Sequence, residues 1–533
     1  MRRVLLFLVM FSCYVCCSLA QTFESGGIQY RVLSSDDKTV AVEHYCGDSV
    51  GNVIIPQTVR FDDEYAVKEI KGSAFYCCSG LSSIIIPDGV TSIGYSAFMF
   101  CSGLTSIHIP KSVTSIKSDA FSYCDGVTSI TVDPQNPVFD SREDCNAIVE
   151  TATNTLFTGC KNTVIPKNVT KIGSCAFCGC TGLTAVTIPD GITSIEFYAF
   201  RGCNGLISID IPQSVTSIME YAFMFCEGLV SVNIPEGITS IENNAFYGCS
   251  ALTSVRIPSS VSNIETEAFG GCSSLASIVV DPANTKYDSR KKCNAIIETA
   301  SNTLIAGCKN TVIPKGVTCI GPSAFYSCSD LSKVTIPDGV TKIWYEAFRG
   351  CSSLKKINIP SSVTEIGPSA FYDCDGLTVI TVDKKNITFD SREKCNAIIE
   401  TASNTLIQGC KKTVIPKSVE KIGPKAFARI SGLTSIIIPD GVTGIRYNAF
   451  ESCSDLASIT IPSSVTGIEF GVFANCKNLT QVVSKIEKPF GFELNPFRDI
   501  SDDCVLTVPA GTRNAYIAAG WTEDIFKGGI VEK

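Results

Sequence analysis

Histidine is nearly absent from this chain of 533 residues, in which only His44 and His108 occur. Imidazole is the commonest metal ligand and the usual acid–base group near neutral pH, so little material remains for either kind of site. Runs of basic residues are also absent, and the formal net charge is −8. Because nucleic acids and anionic membranes are bound through clustered Lys and Arg, we expect neither as a partner.

Long apolar runs are absent beyond residue 20, so the sequence predicts no transmembrane segment there. The first 20 residues combine Arg2 and Arg3 with a short apolar run and the small-x-small ending Ser18-Leu19-Ala20. This pattern predicts a signal peptide cleaved after Ala20, and hence a secreted or cell-surface protein. Three leader cysteines provide a lipoprotein alternative, although the residues before them form a poor acylation signal. They are Cys13, Cys16 and Cys17.

Catalytic motifs are absent as well. The chain has no phosphate-binding loop, no nucleophile elbow and no H-E-x-x-H pair. We therefore predict no enzyme activity, no catalytic residues, no cofactor and no metal site. Cys175, Cys178 and Cys180 look like a metal cluster only in isolation, because no histidine or fourth ligand lies near them in the sequence.

One stretch, first complete from Pro87 to Ile109, is repeated along most of the chain with a period of 23 residues. It reads P-x-x-[VI]-T-x-I-x-x-x-A-F-x-x-C-x-x-L-x-x-I-x-I. A fixed period of this length is typical of a solenoid, in which each unit buries its apolar edge against its neighbours. The alternating I-x-I end predicts a half-buried strand, and the Ala-Phe pair a short helical turn. The sequence thus predicts a β-rich α/β repeat solenoid, right-handed, with parallel strands and short helical turns.

Three longer blocks interrupt the period with near-identical sequences. Each contains an enlarged coil, at residues 134–166, 282–314 and 384–416. Two apolar runs flank a polar centre such as Thr151-Ala152-Thr153-Asn154, which predicts a β-hairpin. The preceding Asp140-Ser141-Arg142 invites a binding interpretation, but we favour a polar turn into the hairpin.

The domain prediction follows from these patterns. It consists of a signal peptide at 1–20, an N-terminal capping region at 21–70, the repeat solenoid at 71–484 and a C-terminal cap at 485–533.

The repeated A-F-x-x-C-x-x-L-x-x-I-x-I-P unit resembles the bacterial-surface-protein-A (BspA-like, Treponema pallidum) type of leucine-rich repeat. The D-S-R-x-x-C-N-A-I-[IV]-E-T-A-[ST]-N-T-L blocks resemble variants common in Bacteroidetes. The resemblance covers roughly residues 50–510. It implies an exported, often surface-exposed protein that adheres to host proteins or to other bacteria.

Cysteine recurs at one repeat position. Thirteen residues share it: Cys78, Cys101, Cys124, Cys180, Cys203, Cys226, Cys249, Cys272, Cys328, Cys351, Cys374, Cys453 and Cys476. Ile430 fills the equivalent slot in one coil, and an apolar substitute favours a buried packing column over metal ligands or disulfides. The hairpin cysteines differ, because each pair lies symmetrically about its hairpin centre. Cys145–Cys160, Cys293–Cys308 and Cys395–Cys410 are therefore candidate disulfides in an exported protein.

Two surfaces are candidates for binding. The outward strand positions are mostly Ser and Thr, with few anchor residues. The bend before the Ala-Phe pair instead carries aromatic residues in several coils: Tyr95, Phe197, Tyr198, Tyr221, Trp344, Tyr345, Tyr447 and Phe470. These rings are either contact sites or lateral stacking between coils, and the sequence leaves both open.

The function predicted from the sequence is adhesion or another protein–protein interaction. The expected partner is a protein ligand, such as a host extracellular-matrix protein or a bacterial surface, and the expected state is a monomer. A structural, self-assembling envelope protein is the alternative, followed by a glycan-binding accessory protein.

Overall fold

The computed structural model describes residues 21–47 and 51–533. The predicted signal peptide lies outside the described residues. The chain divides into two compact units, the first ending at Ile238 and the second beginning at Thr239, and each is described by itself. Within the described residues, no helix has the length and apolar character needed to cross a membrane.

The entry of the first unit is a small strand assembly. Its strands are Thr22–Ser25, Ile28–Ser34, Thr39–Tyr45, Gly51–Ile54, Thr58–Arg60 and Glu64–Ile70. Ile28–Ser34 and Thr39–Tyr45 pair antiparallel around a polar turn, as the sequence predicts. Thr39–Tyr45 then pairs parallel with Glu64–Ile70, which continues in parallel to the first regular coil. The antiparallel entry therefore leads directly into the parallel stack.

Every regular coil of the first unit except the one at residues 183–188 contributes a strand from its I-x-I segment. These strands are Leu81–Ile85, Ser106–Ile109, Ser129–Val132, Ser208–Asp210 and Ser231–Asn233. Ser106–Ile109 and Ser129–Val132 pair parallel, residue for residue 23 positions apart. Ile107 and Ile109 are buried whereas Ser106 and His108 are exposed, because side chains alternate along a strand. The surface made by these outward side chains is called the strand face below.

A second, shorter strand follows the proline of each coil. In the first unit these are Ser92–Ile93, Ser115–Ile116, Lys171–Ile172, Ser194–Ile195 and Ser217–Ile218. They also pair in parallel, as Ser92–Ile93 does with Ser115–Ile116. The proline cannot donate to a ladder, but its carbonyl accepts a turn bond, as Pro110 O does from Val113 N at 3.2 Å. Proline thus separates the two strands of each coil.

The Ala-Phe segment, predicted as a short helical turn, forms consecutive tight turns instead. Met99 N donates to Ser96 O and Cys101 N to Phe98 O, so each turn closes over three residues. Ser96 and Phe100 have φ values of 54° and 64°, and such left-handed residues interrupt a right-handed helix. The other backbone bonds run between coils, as from Phe98 N to Ala120 O at 2.8 Å. We call residues 94–100 and their equivalents in the other coils the turn edge.

The core of each coil is centred on the phenylalanine of the Ala-Phe pair. Phe98 stacks on Phe121 with ring centroids 5.2 Å apart and an interplanar angle of 1°. The stack is interrupted at each enlarged coil, where glycine occupies the space. A Cβ on Gly159 would lie 2.3 Å from Cε1 of Phe177, so the glycine is required for the next ring to fit.

The enlarged coil of the first unit is a hairpin, as predicted. Its strands are Phe139–Asp140, Ala147–Glu150 and Thr155–Gly159, with a 3-10 turn at Arg142–Asp144. Asn136 anchors it, because its Nδ2 donates to the carbonyls of Pro110 and Val113, both at 2.9 Å. At the turn edge, Tyr123 N donates to Cys178 O at 2.8 Å, which bridges the coils on either side of the hairpin. The enlarged coil therefore contributes no turn edge of its own.

The second unit repeats this plan with two enlarged coils. Its I-x-I strands are Ser254–Ile257, Ser277–Val280, Lys356–Ile359, Val379–Val382, Ser435–Ile437, Ser458–Ile461 and Gln481–Ser484. Its short strands are Ser240–Ile241, Asn263–Ile264, Cys319–Ile320, Lys342–Ile343, Glu365–Ile366, Lys421–Ile422, Gly444–Ile445 and Gly467–Ile468. Its hairpins comprise Tyr287–Asp288, Ala295–Glu298 and Thr303–Gly307, then Phe389–Asp390, Ile398–Glu400 and Thr405–Gln408, with 3-10 turns at Arg290–Lys292 and Arg392–Lys394.

The C-terminal residues pack an aromatic cluster against the last coil. Strand Val505–Val508 pairs parallel with Gln481–Ser484 and with Ile530–Glu532, and helix Arg513–Ala518 lies between the last two strands in sequence. Tyr516, Trp521 and Phe526 are fully buried. The Tyr516 hydroxyl donates to Ile486 O at 2.8 Å, and Trp521 Nε1 to Phe490 O at 2.9 Å. This arrangement agrees with a closing cap, while the predicted domain boundaries stay predictions.

Candidate functional site

The aromatic residues singled out in the sequence all lie on turn edges. Six have exposed side chains: Tyr95 (60%), Tyr447 (44%), Tyr345 (41%), Trp344 (40%), Phe470 (39%) and Phe197 (37%). Tyr198 and Tyr221 are half-buried. Rings that keep more than a third of their surface in water at non-core positions are available for contact with a partner.

Tyr198 and Tyr221 illustrate the lateral-stacking interpretation. Their rings are parallel within 8°, and their centroids are 4.8 Å apart. Both residues have left-handed backbone conformations, with φ near 57° and 59°, which are unfavourable for a bulky residue. Arg201 lies over the Tyr198 ring at 5.3 Å. Ring stacking across coils therefore accounts for these two residues.

A cation lies over three of the other rings. Lys117 lies 5.5 Å from the Tyr95 centroid, and Arg498 lies 5.7 Å from that of Phe470. In the second unit Lys342 lies 5.8 Å from Trp344, whose ring meets Tyr345 edge-to-face at 6.5 Å. Stacking between coils does not account for Trp344 and Tyr345. Lateral stacking therefore explains Tyr198 and Tyr221, whereas Trp344 and Tyr345 stay candidate contact residues.

The sequence analysis missed a second set of residues at the far end of the turn edge. In the second unit, Arg349 lies 5.1 Å from the rings of both Tyr326 and Tyr372. Arg429 Nε donates to the Tyr372 hydroxyl at 2.7 Å, and Lys425 lies over the same ring at 4.9 Å. Arginine and tyrosine are the residue types most enriched at energetic centres of interfaces. The signal was present as Tyr or Arg directly after Ala-Phe, a position that several other coils fill with small residues.

Burial affects the titration of this second set. It raises the pKa of Tyr326 to about 12 and also raises that of Tyr372. It raises the pKa of the half-buried Asp373 carboxyl as well. Arg349 is held by Glu346, whose Oε1 lies 2.6 Å from its Nη1. The set is therefore a pre-organised network of charged and aromatic groups on a rigid edge.

The cysteine column packs as predicted. Cys203 Sγ donates to Phe177 O at 3.1 Å, and Cys101 Sγ to Phe75 O at the same distance, each reaching the preceding coil. Both cysteines and Ile430 are buried. Burial raises the pKa of Cys272 to about 12, so this thiol is neutral. The part of the chain that the structure describes has no grouping of three or more metal-ligating side chains.

The hairpin cysteines are free thiols in the structure. A bulge between Ile148 and Val149 shifts the register, so Ala147 lies opposite Gly159. This register places Cys160 opposite Asn146 rather than opposite Cys145, and the Cys160 thiol donates to the Asn146 carbonyl at 3.5 Å. The same bulge recurs in the other two hairpins. The disulfides stay a prediction, with less support from the register than from sequence symmetry.

The Asp-Ser-Arg segment forms the polar turn that we favoured. Arg142 Nε donates to Asp140 Oδ1 at 2.8 Å and its Nη2 to Oδ2 at 2.6 Å. Its Nη1 donates to Asn154 Oδ1 at 2.9 Å, at the tip of the hairpin. The Ser141 hydroxyl accepts from Val132 N at 3.1 Å. The hydrogen-bonding groups of this turn are therefore paired within the protein, and the same contacts recur in the other two hairpins.

The parallel strand rows, the stacked phenylalanines and the cysteine column define a leucine-rich repeat protein. A family model described as BspA type leucine rich repeat region matches residues 44–143, 150–276, 304–404 and 399–488. The chain therefore belongs to the BspA-type leucine-rich repeat family. Members of this family are bacterial cell-surface proteins and generally have no enzymatic activity.

Several solved structures are similar to this chain. A leucine rich cell surface protein from Faecalibacterium prausnitzii is 27% identical, with 88% of this chain and 95% of that one covered and a TM-score of 0.40. A leucine-rich repeat protein from Bacteroides ovatus is 25% identical, with 91% and 99% covered and a TM-score of 0.34. The pneumococcal vaccine antigen PcpA is 16% identical, with 97% and 100% covered and a TM-score of 0.35. Among curated proteins, none matches the chain.

Proposed function

We propose that this protein is exported to the bacterial surface and adheres to an extended protein partner through its turn edges. The observation that carries the proposal is the exposure of Phe197 on a turn edge of the first unit and of Trp344 and Tyr345 on a turn edge of the second. Rigid aromatic groups lose little conformational entropy on binding and dominate interface energies. The Tyr326, Arg349 and Tyr372 network adds residues of the same type in the second unit.

The type of partner follows from the shape and charge of the surface. A turn edge built from stacked coils presents a long repeating surface, so an extended protein surface is a better match than a small molecule. The net charge of −8 means that the aromatic contacts and hydrogen bonds supply the attraction. We expect the mature chain to be a monomer, and light scattering at rising concentration tests this against self-assembly.

The test uses the mature chain, residues 21–533, in a screen against extracellular-matrix proteins and bacterial cells. The substitutions Phe197→Ala, Trp344→Ala and Tyr345→Ala are combined, leaving the Tyr198–Tyr221 stack intact. Binding of each hit should weaken by about 30-fold or more, since central aromatic anchors contribute about 2 kcal/mol or more each.

A matched control replaces exposed apolar residues that lie off the turn edge. It combines Phe61→Ala, Ile437→Ala and Leu494→Ala, whose side chains are 40%, 82% and 61% exposed. The control should bind like the parent. If the turn-edge variant and the parent bind with equal affinity, the turn edge is not the binding surface. A large loss of melting temperature in that variant would instead assign Trp344 and Tyr345 to packing.

A further inference from the structure

The strand face of the second unit is positively charged although the protein is acidic. From Leu252 to Ser484, the I-x-I rows and the residues that lead into them contain no Asp or Glu. Their basic residues are Arg256, Lys309, Lys333, Lys355, Lys356, Lys411 and Lys412. The linear sequence does not show this cluster, because one or two coils separate the successive basic rows in sequence while the fold aligns them.

Five of these lysines are not neutralised by neighbours. Lys309 has Asp330 at 3.5 Å, and Arg256 is paired with Asp281. No described carboxylate lies within ion-pair distance of the remaining five, which we call the lysine face. They are Lys333, Lys355, Lys356, Lys411 and Lys412. All are exposed except Lys411, which is half-buried. Like charges held on one face repel one another, and an anionic ligand would remove that repulsion.

A groove lies along the same part of the unit. It has a volume of about 580 Å³ and is lined by Thr381, Lys384 and Asn396, among others. Asn396 Nδ2 donates to Lys412 O at 3.3 Å, which places the groove beside the second pair of lysines. Its charged lining is balanced, because Asp383, Asp390 and Glu393 match Lys384, Arg392 and Lys394 in number, and Arg392 is bound by Asp390. The groove therefore supplies shape and hydrogen-bonding groups, and the lysine face supplies the charge.

The residue types of the lysine face indicate which class of anionic ligand it can bind. The rows that carry the five lysines contain no aromatic residue, and their other outward groups include Ser332, Thr335 and Asn358. Single-stranded nucleic acids are bound by stacking bases on aromatic rings, and protein partners by buried anchors, so neither matches this face. Lysine is a hydrated point charge on a flexible stem, which suits anionic groups spaced along a flexible chain.

We propose that the lysine face binds a linear polysaccharide carrying sulfate or carboxylate groups. Lys333 lies one row before the Lys355–Lys356 pair, so one chain running across the rows can contact them in succession. Lys411 and Lys412 extend the contact past the groove. This inference uses a different surface and a different ligand class from the proposed protein adhesion, and neither depends on the other.

The test measures binding of residues 21–533 to heparin and to polygalacturonate by calorimetry at several NaCl concentrations. Neutral dextran is the uncharged reference. A variant changes all five lysines of the lysine face to Gln. Its affinity at 150 mM NaCl should fall by about 30-fold or more, and the slope of log Kd against log salt should fall by about 3–5, because fewer counterions are released. The corresponding Arg variant retains the charges and should bind like the parent.

A matched control changes five lysines away from the lysine face to Gln. They are Lys68, Lys171, Lys421, Lys477 and Lys488. The control should bind within about twofold of the parent, because charges beyond a Debye length of about 8 Å are largely screened. The proposal is wrong if the parent binds neither polysaccharide, or if the control loses as much affinity as the lysine-face variant. Equally tight binding of single-stranded DNA would overturn the polysaccharide assignment.

Discussion

Replacing Gly159 with alanine should destabilise the first unit, although the same change is harmless or favourable at many sites. Gly159 does not have a positive φ, so the backbone accepts alanine, and Gly→Ala then normally stabilises by about 0.4–1 kcal/mol through the unfolded chain. Here the added Cβ would lie 2.3 Å from Cε1 and 2.7 Å from Cζ of Phe177, whose ring is buried. Overpacking of this kind costs about 1–3 kcal/mol.

The control for this prediction is Gly467→Ala. Gly467 also lacks a positive φ, and no atom lies within 4 Å of the position its Cβ would occupy. We expect the melting temperature to rise slightly for Gly467→Ala and to fall for Gly159→Ala. Hydrogen exchange should localise the loss of protection to peptides covering residues 155–180. In the double variant Gly159→Ala/Phe177→Leu, the smaller side chain should relieve the clash and recover part of the stability. Unchanged melting of Gly159→Ala, or a double variant no better than additive, would refute the claim that glycine makes room for the ring.

Two further predictions concern buried polar groups. Asn284→Ala should lower stability by at least about 2 kcal/mol. Asn284 Nδ2 donates to Pro258 O and Val261 O while its Oδ1 accepts from two backbone amides, and alanine removes all four hydrogen bonds. Urea unfolding measures this, and Asn284→Asp, which keeps only the acceptors, should fall between the parent and the alanine variant. Melting temperature should fall as pH rises above 9, because burial raises the pKa of Cys272 to about 12 and the unfolded thiols lose protons first. Scans at pH 7 to 10 in reducing buffer test the sign, and a flat profile would contradict neutral buried thiols.

The period made much of the fold predictable. The strands at Ser106–Ile109, the proline boundaries and the cysteine column all follow from side-chain alternation and from one repeat burying the next. The conformation of the Ala-Phe turn was harder to predict, because the residue type of Phe100 does not indicate its left-handed backbone conformation. The hairpin register could not be predicted either. A one-residue bulge at Ile148 places Cys160 opposite Asn146 instead of Cys145, and no residue type in the sequence signals this bulge.

The candidate site was predictable only in part, because some of its features depend on residues that are distant in sequence. Single-residue features, such as the exposed Trp344, could be recognised because they deviate from the repeat consensus. Properties that depend on alignment of distant residues could not be recognised from linear runs. Tyr372 and Arg429 are 57 residues apart in sequence but share a hydrogen bond, and the lysine face is spread over about 80 residues. Superposing the sequence on its own period would reveal both.

The hairpin coils meet equivalent neighbours in every copy, and this equivalence bears on how such genes change length. Thr155 pairs with Lys171, Thr303 with Cys319 and Thr405 with Lys421, each in parallel with the next short strand. The blocks that begin at Pro258 and Pro360 each span 102 residues before the next equivalent proline. Unequal recombination between them would delete or add a whole block while every remaining coil kept a neighbour of the accustomed type. Variants of this protein could then differ in reach and in the number of Asp-Ser-Arg hairpins without any new interface having to evolve.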